Sequence, residues 1–380
     1  MTSQPNLSHW EKETFFEKID VVVVGGGIVG LNAAIHLKEL DPALRVSLVE
    51  RSALPAGAST RNAGFACFGS LTELLGDWEV MGEDACFELL ERRWEGLQLL
   101  RELVGDANME YQSHGSYELF RHGEEESYKE CCEKMDYIND RLADMMEEEK
   151  VFSVRDKELS RMGFAGVGHL IFNRLEGQIH PGKMMARLIH LAQSKGVQII
   201  NGLGIQELRE DSQGVSLQTD AGWTIEAEQV LVATNGFATQ LLPELSVRPA
   251  RNQVMISRPI KQLPFQACFH YDKGYYYFRN VGNRLLLGGG RHQFGDEEYT
   301  DSFGVTKELQ DHLEEMAREL ILPGIPFEVE RWWSGILGVG PSKQPILRWV
   351  GPRTSVAVRL GGMGIAIGSS VGRQAAELLL

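Results

Sequence analysis

Apolar and polar positions near the start of the chain alternate between two patterns. Residues 20–24 read Asp-Val-Val-Val-Val, a β-branched apolar run of the kind a buried parallel strand shows. GGGIVG follows at 25–30, and then LNAAIHLKEL, in which Leu31, Ala34, Ile35 and Leu40, with Leu37 or Lys38 between them, suit a helix. Asp41-Pro42 breaks that helix, and a second strand, Arg45–Val49, ends in Glu50. Farther on, helical spacing predicts amphipathic helices over 82–104 (Phe87, Leu90, Trp94, Leu97, and Leu100 or Arg101) and over 124–149 (Tyr128, Cys132, Met135, Ile138, Leu142). Tyr275–Arg279 and Arg284–Leu287, separated by Asn280-Val-Gly-Asn283, read as a hairpin. In a strand, Tyr276 and Phe278 share one face, and Tyr275 and Tyr277 the other. No period of roughly 20–50 residues repeats.

The chain has 380 residues, which at roughly 100–200 per domain predicts two or three domains. With 43% hydrophobic residues it can bury a sizeable core. No apolar run approaches the ~20 residues that cross a bilayer, and the polar N-terminus shows no signal segment. A soluble, cytoplasmic protein without a transmembrane segment is expected. The net charge of −15 repels phosphate backbones, so no nucleic-acid partner is expected. The acidic runs Glu124–Glu126 and Glu147–Glu149 read as solvated helix faces. Five cysteines with irregular spacing argue against a disulfide framework, and no C-x-x-C or C-x-x-x-x-C pair exists for dithiol redox chemistry. Ten scattered histidines show no zinc spacing, so no metal is expected.

Gly25-x-Gly27-x-x-Gly30 alone is weak evidence, but here its setting is complete: strand, helix, second strand, and Glu50 twenty positions beyond Gly30. Gly25 makes the tight turn, Gly27 lets the backbone approach a pyrophosphate, and Gly30 permits close helix–strand packing. The helix N-terminus, at Ile28 and Val29, offers N–H groups and partial positive charge. Glu50 suits a ribose hydroxyl and disfavours a 2′-phosphate, with Arg51 beside it. The motif predicts an ADP-containing dinucleotide without choosing FAD or NAD. Residues 51–70 are rich in small side chains that let backbone press on a flat ligand, and Ser59, Thr60, Arg61 and Asn62 add polar contacts. Ala63 and Gly64 follow, and then Phe65, Cys67 and Phe68, which favour burial over a surface loop.

The run GGGIVGLNAAIHL…VSLVERSALPAGASTRNAG resembles the D-amino-acid oxidase superfamily, in its glycine oxidase, sarcosine oxidase and D-amino-acid dehydrogenase branch. The S-x-R-N-(G/A)-G signature is similar to that of γ-glutamylputrescine oxidase-like proteins. Four more segments resemble the family in order. GQIHPGKMMARLIHLAQSKGVQIINGLGI (177–205) puts Ile205 where a backbone group meets adenine. The A-T-N-G loop is Ala233, Thr234, Asn235 and Gly236. The W-x-G segment within 331–347 contains Gly335, and the closing turn contains Gly361, Gly362, Met363, Gly364 and Ile365.

The resemblance implies an α/β (α+β overall) fold: a Rossmann-type FAD-binding domain from 1–80, 177–243 and 328–380, and an interleaved substrate domain with a mixed or antiparallel sheet from 81–176 and 244–327. It implies oxidation of the C–N bond of a small amine or amino acid by hydride transfer to flavin N5, with hydrolysis of the imine. Oxygen or an unidentified acceptor would take the electrons. Tyr276 and Phe278 would wall the pocket, as in sarcosine oxidase, with ordinary sheet packing as the competing reading. Glycine oxidase-like enzymes carry a carboxylate-binding arginine just after W-x-G, where this chain has Ile336 and Leu337. Arg279 and Arg291 are the candidate replacements, each with a purely structural or surface role as the alternative. The position matching the oxygen-activating lysine is near Leu286, and Lys273 is the alternative. Residues 331–347 lack the flavin-linking cysteine and 59–64 lack the flavin-linking histidine of related enzymes, so FAD is expected to be non-covalent. His180, Trp332 and Trp333 read as structural. The competing functions are an L-2-hydroxyglutarate-type 2-hydroxy-acid dehydrogenase, from which Ala63 departs, and a flavin-binding protein without turnover. The Gly-Asp motif of aromatic hydroxylases is absent before the last helix.

Overall fold

The β-branched run is a strand, Ile19–Val24, with a nearly continuous buried pattern. A computed structural model describes residues 7–17 and 19–380; the first six residues of the polar N-terminal stretch, and Lys18, lie outside them. The strand pairs in parallel with Val46–Glu50 on one side and Thr224–Val232 on the other. Parallel strands need cover on both faces, which is why no polar alternation shows in this stretch. The full sheet has eight strands. Its main path runs Ile346–Trp349, Thr354–Val358, Thr224–Val232, Ile19–Val24, Val46–Glu50, Gln198–Asn201. Val215–Thr219 and Ile205–Glu210 branch from Thr224–Val232 as an antiparallel meander. Helices Ile28–Leu40, Pro181–Ser194 and Gly364–Leu379 contribute to the core on one face. The meander contributes Val215, Leu217 and Ile225 to the core on the other.

A second eight-stranded sheet runs Val329–Val339, Arg248–Ser257, Arg284–Gly289, Tyr276–Val281, Cys268–Tyr271, Ser116–Arg121, Val167–Asn173, Phe152–Val154. All its pairs are antiparallel except Cys268–Tyr271 with Ser116–Arg121, so the sheet is mixed. One face packs on the Lys307–Met316 helix through Leu309 and Leu313. A short antiparallel ribbon, Phe65–Ala66 with Gly177–Gln178, lies between the two large sheets in chain order and packing. Among the described residues, no helix is long and apolar enough to cross a membrane.

Three expectations change. Val329–Val339, grouped by sequence with the cofactor domain, is the edge strand of the second sheet and pairs with Arg248–Ser257 along its length. The Glu83–Val104 helix, assigned to the substrate domain, sends Leu89, Leu97, Leu100 and Val104 into the core beneath the first sheet. Its Cys86, Phe87 and Leu90 face a separate core with Phe120 and Ile171, so the helix straddles both lobes. The hairpin turn is shorter than the four residues expected. Asn280 and Val281 continue the ladder to Leu285 and Arg284, which leaves Gly282-Asn283 as a two-residue turn.

Candidate cofactor and active site

The glycine turn is held from both sides. Gly25 has φ +114° and donates its N–H to the Val49 carbonyl at 2.9 Å. A Cβ on Gly30 would stand 2.0 Å from the Gly25 oxygen, so helix and turn approach only because Gly30 has no side chain. The Glu50 carboxylate accepts from the Gly26 N–H at 2.9 Å and the Ser52 N–H at 3.0 Å. It is thereby oriented at the end of its strand. The helix starting at Ile28 has no local side-chain cap; the Ile28 N–H instead donates to Ser59 Oγ at 2.9 Å.

A cavity of about 330 Å³ opens over this turn. Gly25, Gly27, Ile28, Val29, Glu50, Arg51, Ser59 and Asn62 line it, together with Ile205, Ala233, Thr234, Asn235, Gly361, Gly362, Gly364 and Ile365. Sequence reasoning missed Gly26, Gly204, Asp220, Phe237 and Gln240 along the same walls. The Arg51 guanidinium lies 3.8 Å over the Phe237 ring, a stacking that no local motif announces. Ile336 and Leu337, the positions of the missing arginine, also line the cavity and give it an apolar patch.

An ADP-containing cofactor fits these walls. A helix N-terminus with no cap from its own N-cap residue and a braced carboxylate lie at the glycine turn, and Thr234 Oγ1 is buried with no hydrogen-bond partner. Asn235, at φ +48°, accepts the N–H groups of Arg359 and Leu360 at 3.0 and 3.3 Å and so holds the start of the closing turn. Gly236 lets this loop pass under Leu337: a Cβ there would be 2.5 Å from the Leu337 oxygen. Met363 sits at the N-cap of the last helix.

The Ser59–Gly64 loop is tied by Asn62. Its Oδ1 accepts from the Gly64 N–H at 2.8 Å, and its Nδ2 donates to the Ala58 and Ser59 carbonyls. Thr60 turns back onto the Pro55 and Gly57 carbonyls, away from the cavity. Arg61 donates to the Ser334 carbonyl at 3.1 Å and lies 4.4 Å from the Phe303 ring centroid. Gly335 faces the Arg61 stem, 3.3 Å from where its own Cβ would stand.

Ala63 and Phe65 pack on the sheet face made by Val254, Tyr277, Leu286 and Trp333. Tyr277 aligns with Gly288, and Gly288 with Val254, so these residues sit side by side. The Tyr277 ring crosses Gly288, whose Cβ would be 2.6 Å from it. Its hydroxyl accepts from Asn252 Nδ2 at 3.3 Å, and burial pushes its pKa up to about 12. Trp333 Nε1 donates to the Arg61 carbonyl at 2.9 Å.

This face corrects the aromatic assignment. Tyr276 and Phe278 point the other way: Phe278 stacks on Phe269 at 4.7 Å, and the Tyr276 hydroxyl meets His312 at 2.7 Å. Both belong to the core under the Lys307–Met316 helix, so Tyr277 is the residue that faces the loop. Arg279 is also reassigned. Its Nε donates to the Ala63 carbonyl at 2.5 Å, one terminal nitrogen to Ile179 O at 3.1 Å and the other to Asn280 O at 3.2 Å. It is a brace for the loop, with its pKa lowered by burial. Arg291 is half-buried, 5.9 Å from the Tyr299 ring, and has no ion-pair partner among the described residues. Lys273 is exposed in the Asp272–Gly274 turn, near Glu79 and Glu130, and does not line the cavity over the glycine turn. His180 is a helix N-cap that accepts the Lys183 N–H.

A family model described as "DAO: FAD dependent oxidoreductase" matches residues 20–378. The chain is 26% identical over 385 residues to a probable oxidoreductase OrdL of Rhizobium meliloti (strain 1021), covering 96% of this chain and 83% of that one. It is 26% identical over 284 residues to glycine oxidase of Geobacillus kaustophilus (strain HTA426), covering 71% of this chain and 70% of that one. A crystal structure of glycine oxidase from Geobacillus kaustophilus superposes with a TM-score of 0.75 at 23% identity, over 95% of this chain and 94% of that one. The family match begins at the strand before the glycine turn and ends in the helix after the closing turn, so it takes in every wall of the cavity: the chain belongs to the DAO family of FAD-dependent oxidoreductases.

Proposed function

We propose that this oxidoreductase oxidises the C–N bond of a small amine or amino acid. The observation that carries the reading is the apolar, aromatic-walled sheet face of Val254, Tyr277, Leu286 and Trp333, closed against Ala63 and Phe65, which follow the cavity-lining Asn62 in the chain. The similarity to glycine oxidase supports it. FAD, held non-covalently, supplies the hydride acceptor when bound. Gly25–Val29, Glu50, Arg51, Ser59, Asn62, Ile205, Ala233–Asn235, Gly361, Gly362, Gly364 and Ile365, which line the cavity, are the proposed cofactor residues, with Gly30, Ala63, Gly64, Gly236, Gly335 and Met363 shaping the turns and loops behind them.

The chain's own residues set what the site accepts. Phe65, Tyr277 and Trp333 exclude water from the face, which favours loss of hydride from carbon next to a neutral amine. No side-chain base is required, because hydride is lost to the cofactor from a neutral amine. Apolar Ile336 and Leu337 stand where glycine oxidase-like enzymes have a carboxylate anchor, so an acidic substrate group falls to Arg61 or Arg291, which rest on the Phe303 and Tyr299 rings. Product analysis tests the reading. Turnover should release ammonia or an amine in step with a carbonyl compound. A carbonyl product formed from a 2-hydroxy acid with no nitrogen release would replace this reading with a hydroxy-acid dehydrogenase.

A further inference from the structure

Behind Phe65, four chemistry-bearing side chains from distant parts of the chain converge on one buried point. The Cys67 thiol, the Glu176 carboxylate and the His270 imidazole bring ligand atoms within 4.8 Å of one another. Glu176 is 0% exposed, Cys67 4% and His270 8%. Cys268 is two residues from His270 on the same strand, so the two share a face. Its thiol donates to the Gly177 carbonyl at 3.3 Å, the carbonyl that Cys67 also approaches, at 3.7 Å.

The group has an unfilled valence. His270 Nε2 is buried without a hydrogen-bond partner. It stands 3.4 Å from Glu176 Oε2, beyond the about 2.7–2.9 Å of a charge-assisted N–H···O bond. Glu176 is already oriented by others: Oε1 accepts the Phe68 and Gly69 N–H groups at 2.7 and 2.9 Å, and Oε2 accepts the Ser116 hydroxyl. A carboxylate fixed in this way, an imidazole nitrogen aimed at it and two thiols alongside are the donor types of a tetrahedral N/S/O zinc site. Linear spacing hides it, because the donors sit at 67, 176, 268 and 270.

We propose that Cys67, Glu176, Cys268 and His270 bind a thiophilic divalent cation, with zinc as the ion to test. Binding removes the protons from both the Cys67 and Cys268 thiols, and His270 ligates as the neutral imidazole, releasing any proton Nε2 held. The two thiolates and the Glu176 carboxylate outweigh the 2+ charge by one, an excess faced by the Phe68 and Gly69 N–H groups and the Ser116 hydroxyl that Glu176 accepts. The ion joins the Phe65–Ala66/Gly177–Gln178 ribbon to the Cys268–Tyr271 strand and closes loops of about a hundred residues, the kind of cross-link that limits the unfolded chain most. Phe65 rests edge-on against both His270 and Tyr277, at 5.4 and 5.5 Å, so the ion would stiffen the loop at the candidate active face.

The test uses the flavin-loaded protein produced in zinc-supplemented and in zinc-depleted medium. Metal content by mass spectrometry should reach one zinc per chain in the first, survive gel filtration, and raise Tm by several degrees over the second. A Cys67→Ser/Cys268→Ser protein and a separate His270→Gln protein should lose the zinc and the Tm difference. FAD content, measured in every sample, shows whether each variant has folded. His270→Gln keeps both thiols, so it serves if the serine variant fails to fold. Wild-type protein with no retained zinc and the same Tm in both media overturns the site, as does equal zinc in the variants or a Cys67–Cys268 disulfide in the isolated protein.

Discussion

Tyr277 and Gly288 depend on each other. The ring occupies the space where a Gly288 side chain would be, 2.6 Å from its Cβ. Gly288→Val should push the ring out and destabilise the protein by about 1–3 kcal/mol. Thermal denaturation measures that loss, and slower flavin reduction by any accepted substrate measures its effect on the site. Arg279 is a sharper case, because it is buried and binds carbonyl oxygens alone. Arg279→Met leaves the Ala63 and Ile179 carbonyls without this donor and should cost about 2–4 kcal/mol in chemical denaturation. Arg279→Lys should not rescue it, since one ammonium cannot copy the planar fork. Glu50→Gln places an amide nitrogen among the Gly26 and Ser52 N–H donors. Loss of the charged acceptor costs about 1.5–3 kcal/mol, which is roughly tenfold to a hundredfold in FAD affinity by equilibrium titration.

Among the elements, the Arg291–Thr306 connection shows how a loop is tied down. Glu298 is 1% exposed and accepts from Arg251, Gln253 and Thr306. Burial pushes its pKa up, but these hydrogen bonds and the Arg251 charge outweigh it and hold the carboxyl below its usual value. A depressed folded pKa gives stability that is present above the unfolded carboxylate range, about pH 4.3, and lost as pH falls through the folded value. The connection also touches the cofactor side, through Asp301 to Gln240 and Phe303 to Arg61. Hydrogen exchange across 291–306 should therefore accelerate below about pH 4, beyond the change in the rest of the second sheet. Glu298→Gln should show the faster exchange already at neutral pH. The parallel strand, glycine turn and Glu50 were legible because local geometry dictates them. Alternation correctly grouped Tyr276 with Phe278 and set Tyr277 on the opposite face, but period two does not say which face meets the cofactor lobe. The allegiance of Val329–Val339 was illegible for a related reason: its partner strand lies some eighty residues earlier.

At the scale of the molecule, one sheet carries the dinucleotide turn and the other presents a wall to the loop beside it. The motifs at Gly25–Gly30, Ala233–Gly236 and Gly361–Ile365 point to segments that line the cavity, since close backbone approach demands small residues in a fixed order. The wall could not be read in this way, because Asn252, Tyr277, Gly288 and Trp333 come together only through register across four strands. The buried group around Glu176 escaped for the same reason. Oxidation of a C–N bond is tested most directly by mixing the FAD-loaded protein, without oxygen, with glycine, sarcosine, D-amino acids, γ-glutamylated amines and 2-hydroxy acids while following flavin absorbance. The account predicts bleaching by at least one amine or amino acid and none by the hydroxy acids; bleaching by a hydroxy acid alone, or by no compound tested, would contradict it.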